Sequence, residues 1–228
     1  MNNMAYRELV DQIFDVGKDK FKDMEAYIER NKEIEIGVFE GEIDKYSISE
    51  TEGLSFRGIV DDKMGYSYTE KLDQSSIDML VEEAYKNGEH IDTKDREIIF
   101  SGSSSYEKIE SSNKNLKNIS LEDKIEFVKA LEREALDLDP RITTVNYCIY
   151  NEIENSKYLM NTKGLDLHDD GSIAYAYLVV VAKEGEDIKT GASYIISKDF
   201  KDFDYKKMAK EAVDEALSLL GAKSIKSK

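Results

Sequence analysis

The spacing of apolar residues switches from helix-like to strand-like and back again, once in each half of the chain. In the first half Leu9, Val10, Ile13, Phe14 and Gly17 recur at intervals of three and four, which places them on one helix face. From residue 24 the interval becomes two. Met24, Ala26 and Ile28 alternate with charged or bulky neighbours, and Ile34, Ile36 and Val38 alternate with Glu33, Glu35 and Gly37. Such alternation turns one strand face toward a core and the other toward water. Gly41-Glu42 is the expected hairpin turn. Ile43, Tyr46 and Ile48 form a third strand, and Gly53 opens a fourth in which Leu54, Phe56, Gly58 and Val60 share a face. Asp61-Asp62-Lys63 turns the chain into a fifth strand carrying Met64, Tyr66 and Tyr68. A helix is expected from Asp73 or Ser75, burying Ile77, Leu80, Val81 and Ala84, with Gly88 as a left-handed terminator.

The second half repeats this order. Ser120, with Asp123 three residues on, reads as a helix cap ahead of Ile125, Phe127, Val128, Leu131 and Ala135, and Asp139-Pro140 ends the helix. Val145, Tyr147 and Ile149 alternate as a strand; Ile153 to Met160 and Gly164 to Leu167 follow as two more. Residues 173–182 are apolar on both faces, as in a strand buried on two sides. After a turn at Glu184-Gly185-Glu186-Asp187 comes a strand from Gly191 to Ile196. A final helix from about Asp204 to Leu220 presents Met208, Ala212, Val213, Ala216, Leu217 and Leu220, and Gly221 closes it.

The expected class is therefore α+β: two helix–antiparallel meander–helix units, with helices packed on a mainly antiparallel sheet. The segments are 1–90 and 118–228, joined by a connector over 89–119. Ser101-Gly102-Ser103-Ser104-Ser105 and Ser111-Ser112-Asn113-Lys114-Asn115 are loop chemistry there, with one short strand at Ile98-Ile99-Phe100. That length suits either a solvated linker or a functional loop. Lys45-Tyr46 … Thr51-Glu52-Gly53-Leu54 echoes Lys157-Tyr158 … Thr162-Lys163-Gly164-Leu165. An internal duplication and the chance recurrence of meanders both stay open.

Composition narrows the function. With 228 residues, 40% of them hydrophobic, the chain can bury a core. Lys+Arg 32 against Asp+Glu 48 gives a net charge of −16, and no basic patch interrupts it. Nucleic acid and anionic membrane surfaces should repel such a chain. The one cysteine, Cys148, allows no intrachain disulfide and suits a reducing cytoplasm. No stretch approaches the length of a spanning helix.

Catalytic candidates are few. The two histidines, His90 and His168, lack the one-turn spacing of a zinc motif. His168-Asp169-Asp170 is read either as a metal-binding run or, more plainly, as a polar turn before Gly171. Cys148 has no histidine beside it, so a packed thiol is the plainer reading than a nucleophile. The Ser/Gly loop lacks a phosphate-cradle pattern. Tyr66, Tyr68, Tyr175 and Tyr177 line strand faces, as sheet packing or as a peptide-contacting surface.

One block is more particular. Residues 24–31 (MEAYIERN) and 33–43 (EIEIGVFEGEI) lead into 53–69 (GLSFRGIVDDKMGYSYT), then Leu72-Asp73 and an alanine-containing helix. This resembles the N-terminal domain of the TldD/PmbA family. Gly53, Arg57, Gly65 and Thr69 stand at its Gly-x-x-x-Arg and Gly-x-x-x-Thr positions, although Gly58 follows Arg57 where the family has an apolar residue. Asn161-Thr162-Lys163-Gly164 resembles its Asn-(Ser/Thr)-x-Gly element, and the helix from Ala209 to Leu220 its later helix. The likeness is closer to PmbA than to TldD.

The resemblance implies a cytoplasmic protein about twice this long, in a family of zinc-dependent peptidases. The family is linked to processing of peptide antibiotics and antitoxins and was named historically as modulators of DNA gyrase. It implies that one subunit carries His-Glu-x-x-x-His with zinc and that its PmbA-like partner lacks the motif. No position here matches that motif, so no catalytic or metal residue and no cofactor is expected in this segment. The six motif positions Gly53, Arg57, Gly65, Thr69, Asn161 and Gly164 are expected to act in structure or partner contact. Residues 1–228 would form the N-terminal domain of a longer protein, since the family continues with a strand where Lys226-Ser227-Lys228 stands. The expected partners are a TldD-like or PmbA-like subunit, in a homo- or hetero-oligomer, and a peptide substrate. The alternative is a free-standing peptide-binding module that offers sheet edges for strand addition.

Overall fold

The structure, a computed structural model, describes residues 3–107, 109, 111 and 114–223, the side chains of 3 and 114 excepted. Residues 112–113 of the connector and Lys226-Ser227-Lys228 lie outside them. Five α-helices accompany six strands among the described residues, confirming the α+β class. The order is α1 (Asn3–Gly17), β1 (Met24–Phe39), β2 (Glu42–Val60), β3 (Lys63–Thr69), α2 (Ile77–His90), α3 (Lys114–Lys117), α4 (Leu121–Leu138), β4 (Ile142–Asn161), β5 (Asp166–Glu184), β6 (Asp187–Ser197) and α5 (Tyr205–Leu219). The antiparallel sheet runs β3-β2-β1-β4-β5-β6. Two meanders each follow a helix and precede another, as the periodicity indicated.

The strands are fewer and longer than the sequence suggests. Met24–Ile28 and Ile34–Val38 belong to one strand, β1. The third and fourth expected strands are both β2, because Gly53 keeps an extended backbone instead of breaking it. Residues 145–160 likewise lie in β4 alone. Along β4 the burial phase shifts: Val145 is buried, Tyr147 exposed, and Cys148 and Tyr150 buried. Residues 173–182 are covered on one face only. Ala174, Ala176, Leu178, Val180 and Ala182 are inaccessible, while Ile173 is exposed and Tyr175 to Val181 on the other face are partly so. No strand forms at Ile98-Ile99-Phe100. There the Glu97 N–H donates to the Asp62 carbonyl and the Phe100 carbonyl accepts from Asn161, so the segment bonds to a turn and a side chain instead of a ladder.

Two compact units share these elements: Met1–Lys32, Glu50–Ser111 and Asn155–Gly171 form the first; Glu33–Ser49, Ser112–Glu154 and Ser172–Lys228 the second. They interleave because β1, β2, β4 and β5 each contribute to both. In the first unit, Leu9, Ile13, Ala26, Ile28, Leu54 and Leu80 belong to one core. In the second, Ile36, Val128, Leu131, Leu178, Val180 and Ala212 belong to another. Helix ends follow the expected chemistry. The Ser120 hydroxyl accepts from the Asp123 N–H at 3.1 Å, the Asp204 carboxylate accepts from Lys206 and Lys207 N–H, and Gly221 has a φ of +73°.

Gly88 does not terminate its helix. α2 continues to His90, and Gly88 instead permits close approach to β3. A Cβ there would meet the Gly65 backbone at 3.3 Å, and one on Gly65 would lie 1.9 Å from the Ala84 carbonyl oxygen. The second unit repeats the arrangement: a Cβ on Gly191 of β6 would lie 2.1 Å from the Ala212 carbonyl oxygen and 2.4 Å from the Ala216 nitrogen of α5. Two residues beyond each glycine a buried serine reaches the helix, Ser67 to the Leu80 carbonyl at 2.7 Å and Ser193 to the Glu211 carboxylate at 3.1 Å. One residue beyond each glycine, a helix side chain bonds the edge-strand backbone. Asn87 donates to the Tyr66 carbonyl, and the Glu215 carboxylate accepts from the Ala192 N–H. Gly65-x-Ser67-Tyr68 and Gly191-x-Ser193-Tyr194 are thus structurally equivalent. The echo around Gly53 and Gly164 is not, since Gly53 is mid-strand and Gly164 sits in a turn with a φ of +91°.

Candidate functional site

All six motif positions fall in the first unit. Two of them, Arg57 and Asn161, meet at a third residue, Glu25. Glu25 on β1 is buried, and its carboxylate accepts from the Arg57 Nε of β2 at 2.7 Å and from the Asn161 Nδ2 of β4 at 3.1 Å. A second guanidinium nitrogen of Arg57 also pairs with Glu25. Asn161 spends its remaining groups on backbone: Nδ2 donates to the Phe100 carbonyl at 2.9 Å, and Oδ1 accepts from Lys163 and Leu165 N–H. It therefore closes the turn that Gly164 makes and pins the connector at Phe100. The side chain of Glu25 is 4% exposed and that of Arg57 45%. Two of Arg57's nitrogens and one Asn161 donor thus hold a carboxylate that water barely reaches.

The other positions make contacts of their own. Gly65 allows α2 onto β3. Gly53 leaves room for the Tyr68 ring, since a Cβ there would meet the Tyr68 hydroxyl at 2.5 Å. Thr69 is buried and its hydroxyl accepts from the Lys71 N–H at 3.0 Å, bending the chain after β3. The Gly58 that departs from the family pattern lies under Phe21, whose ring a Cβ would meet at 2.3 Å. Structure brings Arg57 and Asn161 together through Glu25, and leaves Gly53, Gly65 and Thr69 in separate contacts.

Beside Gly53 lies an open groove of about 130 Å³ lined by Tyr27, Glu29, Thr51, Glu52, Tyr68 and Glu70, among others. Burial, then Glu29, push the Tyr27 phenol up to about 12. Burial, then a hydrogen bond to Glu52, do the same for Tyr6, whose hydroxyl donates to Glu52 at 2.9 Å.

The second unit contains a polar cluster with no sequence motif. Lys124 of α4 pairs with Glu152 of β4 at 2.7 Å, the two side chains being 4% and 1% exposed, and Tyr150 donates to the same carboxylate oxygen at 2.7 Å. The other oxygen of Glu152 has no hydrogen-bond partner among the described residues. Burial drives the Tyr150 phenol well above its ordinary value. Glu132 of α4, also buried, accepts from the N–H groups of Glu40 and Gly41 and so caps the β1–β2 turn. A lysine and a glutamate on the apolar stripe of α4, at 124 and 132, were the available signal.

His168, His90 and Cys148 each have partners of their own. His168-Asp169-Asp170 is not a turn but the start of β5; His168 stacks on Tyr158 at 4.3 Å and faces Asp170 at 3.1 Å. His90 bonds the Lys86 carbonyl. Cys148 is buried against the Val128 carbonyl, and burial raises its thiol pKa far above the usual range. Among the described residues, no three His, Cys, Asp or Glu side chains gather as metal ligands. The donor sets among the described residues do not fit the zinc that the family implies. No helix among the described residues is long and apolar enough to cross a membrane.

Comparison with known proteins agrees with this geometry. Residues 24–88 match PmbA/TldA metallopeptidase domain 1, and residues 114–220 match the PmbA/TldA metallopeptidase central domain. A proposed modulator of a DNA gyrase from Thermotoga maritima superposes with a TM-score of 0.89 at 22% identity, over 98% of this chain and 50% of that one. TldE from Thermococcus kodakarensis gives 0.82 at 20% identity, over 92% and 47%. A proposed modulator of DNA gyrase from Bacteroides thetaiotaomicron gives 0.83 at 18% identity, over 96% and 51%. No curated protein matches. The chain spans about half the length of these structures. With domain 1 followed by the central domain, and a fold shared almost end to end, the chain belongs to the TldD/PmbA family.

Proposed function

We propose that this chain is the N-terminal domain of a PmbA-type subunit in a metallopeptidase assembly that acts on peptides. In that assembly it shapes the substrate chamber or contacts the partner subunit, in a homo- or hetero-oligomer. Hydrolysis belongs to zinc held elsewhere, by a His-Glu-x-x-x-His segment. The observation that carries this reading is the pair of consecutive metallopeptidase-family domains on a chain whose two histidines are engaged separately, His90 with Lys86 and His168 with Tyr158 and Asp170. Peptide antibiotics or antitoxins are the substrate class that the family suggests, and the cytoplasm is the compartment. The free-standing module with open sheet edges is less favoured. Its edge strands β3 and β6 already have backbone groups bonded by Asn87 and Glu215.

The test is to co-express the complete gene product with a His-Glu-x-x-x-His-bearing family member from the same genome. The expected result is co-purification, with unstructured peptides cleaved only when both are present. Failure to associate, or cleavage by the first protein alone, contradicts the proposal.

A further inference from the structure

We propose that the helix-free face of the second unit's sheet binds extended polypeptide segments carrying basic residues. This deepens the peptide-handling reading above and rests on it. The β5–β6 register pairs Tyr177 with Tyr194 and Tyr175 with Ile196. The side chains alternate, so the odd-numbered residues 173–181 and the even-numbered residues 188–196 face away from α4 and α5. None of those ten is charged, in a chain that is 35% charged; Lys183, opposite Ile188, is the charged residue that ends this face on β5. An antiparallel face open to water ordinarily carries polar residues at these positions. Here Tyr194 is 72% exposed, Tyr147 60% and Ile196 59%. A contiguous apolar face of this kind marks a contact surface.

Its chemistry selects the occupant. The Tyr147 and Tyr177 rings lie 6.4 Å apart, and with Tyr194 they make a row across β4, β5 and β6. Strands sit about 4.8 Å apart, so the row spans about three residues of an extended chain laid across it. Tyrosine offers a rigid ring to aliphatic groups and a π face to cations, which tolerates varied sequence. At the border, Glu33 and Glu35 of β1 act on the Tyr175 phenol. Glu35 holds Lys45 at 2.9 Å, and Glu33, which accepts from the Asn151 amide at 2.6 Å, acts on the same lysine, so two carboxylates share one cation at this border. The chain's net charge of −16 draws a basic polymer toward the face and opposes a second copy.

The probe is a short fluorescein-labelled peptide of Lys, Leu, Ser and Gly, titrated with the 228-residue chain by fluorescence anisotropy. Its counterpart has Glu in place of every Lys. The basic peptide should bind at least about tenfold more tightly, and added salt should weaken it. Tyr177→Ser/Tyr194→Ser should weaken binding about tenfold with an unchanged melting temperature, whereas Tyr66→Ser in the first unit should not. Tyr177→Phe/Tyr194→Phe keeps the rings and should retain binding, which decides the matter if the serine pair misfolds. Equal binding of the two peptides, or indifference to the serine pair in folded protein, overturns the proposal. So does sedimentation showing that wild type self-associates through this face. Binding here without cleavage in the co-expressed assembly would sink the peptidase reading alone; cleavage without binding here would sink this one alone.

Discussion

The carbonyl oxygen of Ala84 occupies the place where a side chain on Gly65 would begin, 1.9 Å from the ideal Cβ position. The obstacle is helix backbone, which cannot swing aside as a flexible side chain would. Gly65→Ala should therefore separate β3 from α2 and destabilise the chain by about 3 kcal/mol. Gly191→Ala should cost a similar amount at the equivalent contact with Ala212. Urea unfolding measures both; a loss under about 1 kcal/mol at either site would mean the helix shifts freely.

Glu25 and Arg57 should respond unequally to substitution. Removing the guanidinium strands a carboxylate that is 4% exposed, whereas removing the charge of Glu25 leaves an arginine that is 45% exposed and can rehydrate. Arg57→Ala should thus cost about 2–3 kcal/mol and Glu25→Gln about 1 kcal/mol. Denaturant midpoints of the two variants, read with unchanged slopes, give the order. The reverse order would contradict the account of this network.

The Lys124–Glu152 pair offers a sharper contrast. Lys124→Met alone buries an unpaired charge and should cost about 3–5 kcal/mol. Lys124→Met/Glu152→Met should be less damaging than the two single costs summed, by at least about 2 kcal/mol. A double-mutant cycle in urea reports that coupling, and additivity would show that the pair does not interact.

Much of this architecture was legible in the sequence, for a physical reason. Helix stripes such as Ile77, Leu80, Val81 and Ala84 and caps such as Ser120 and Asp204 depend on local spacing, so they are written locally. Strand ends were not. Gly53 and Gly88 look like punctuation, yet each admits a neighbour, the Tyr68 ring or the β3 backbone, that is distant in sequence. The network at Glu25 was half visible. Arg57 and Asn161 stood at motif positions, but only the pairing of β1 with β2 and β4 reveals the carboxylate joining them. The Lys124–Glu152 pair and the Tyr147–Tyr177–Tyr194 row depend wholly on register.

Alkaline pH should weaken the first unit through Tyr6. Its phenol is raised to about 12 in the folded chain, from 10.0, by burial and by donation to Glu52. The protonated form is the one the fold favours. The stabilisation is complete below pH 10, declines as unfolded chains ionise, and is lost as pH rises through about 12. Tyr6→Phe should flatten the dependence of melting temperature on pH in that window. An identical slope in the variant would assign the alkaline loss to other groups.

The central claim is that this segment handles peptides while the chemistry resides elsewhere. The most direct measurement is zinc content together with peptide hydrolysis for the purified 228-residue chain alone. The account predicts no stoichiometric zinc after equilibration with the metal and no cleavage of an unstructured peptide. Stoichiometric zinc accompanied by cleavage would contradict it.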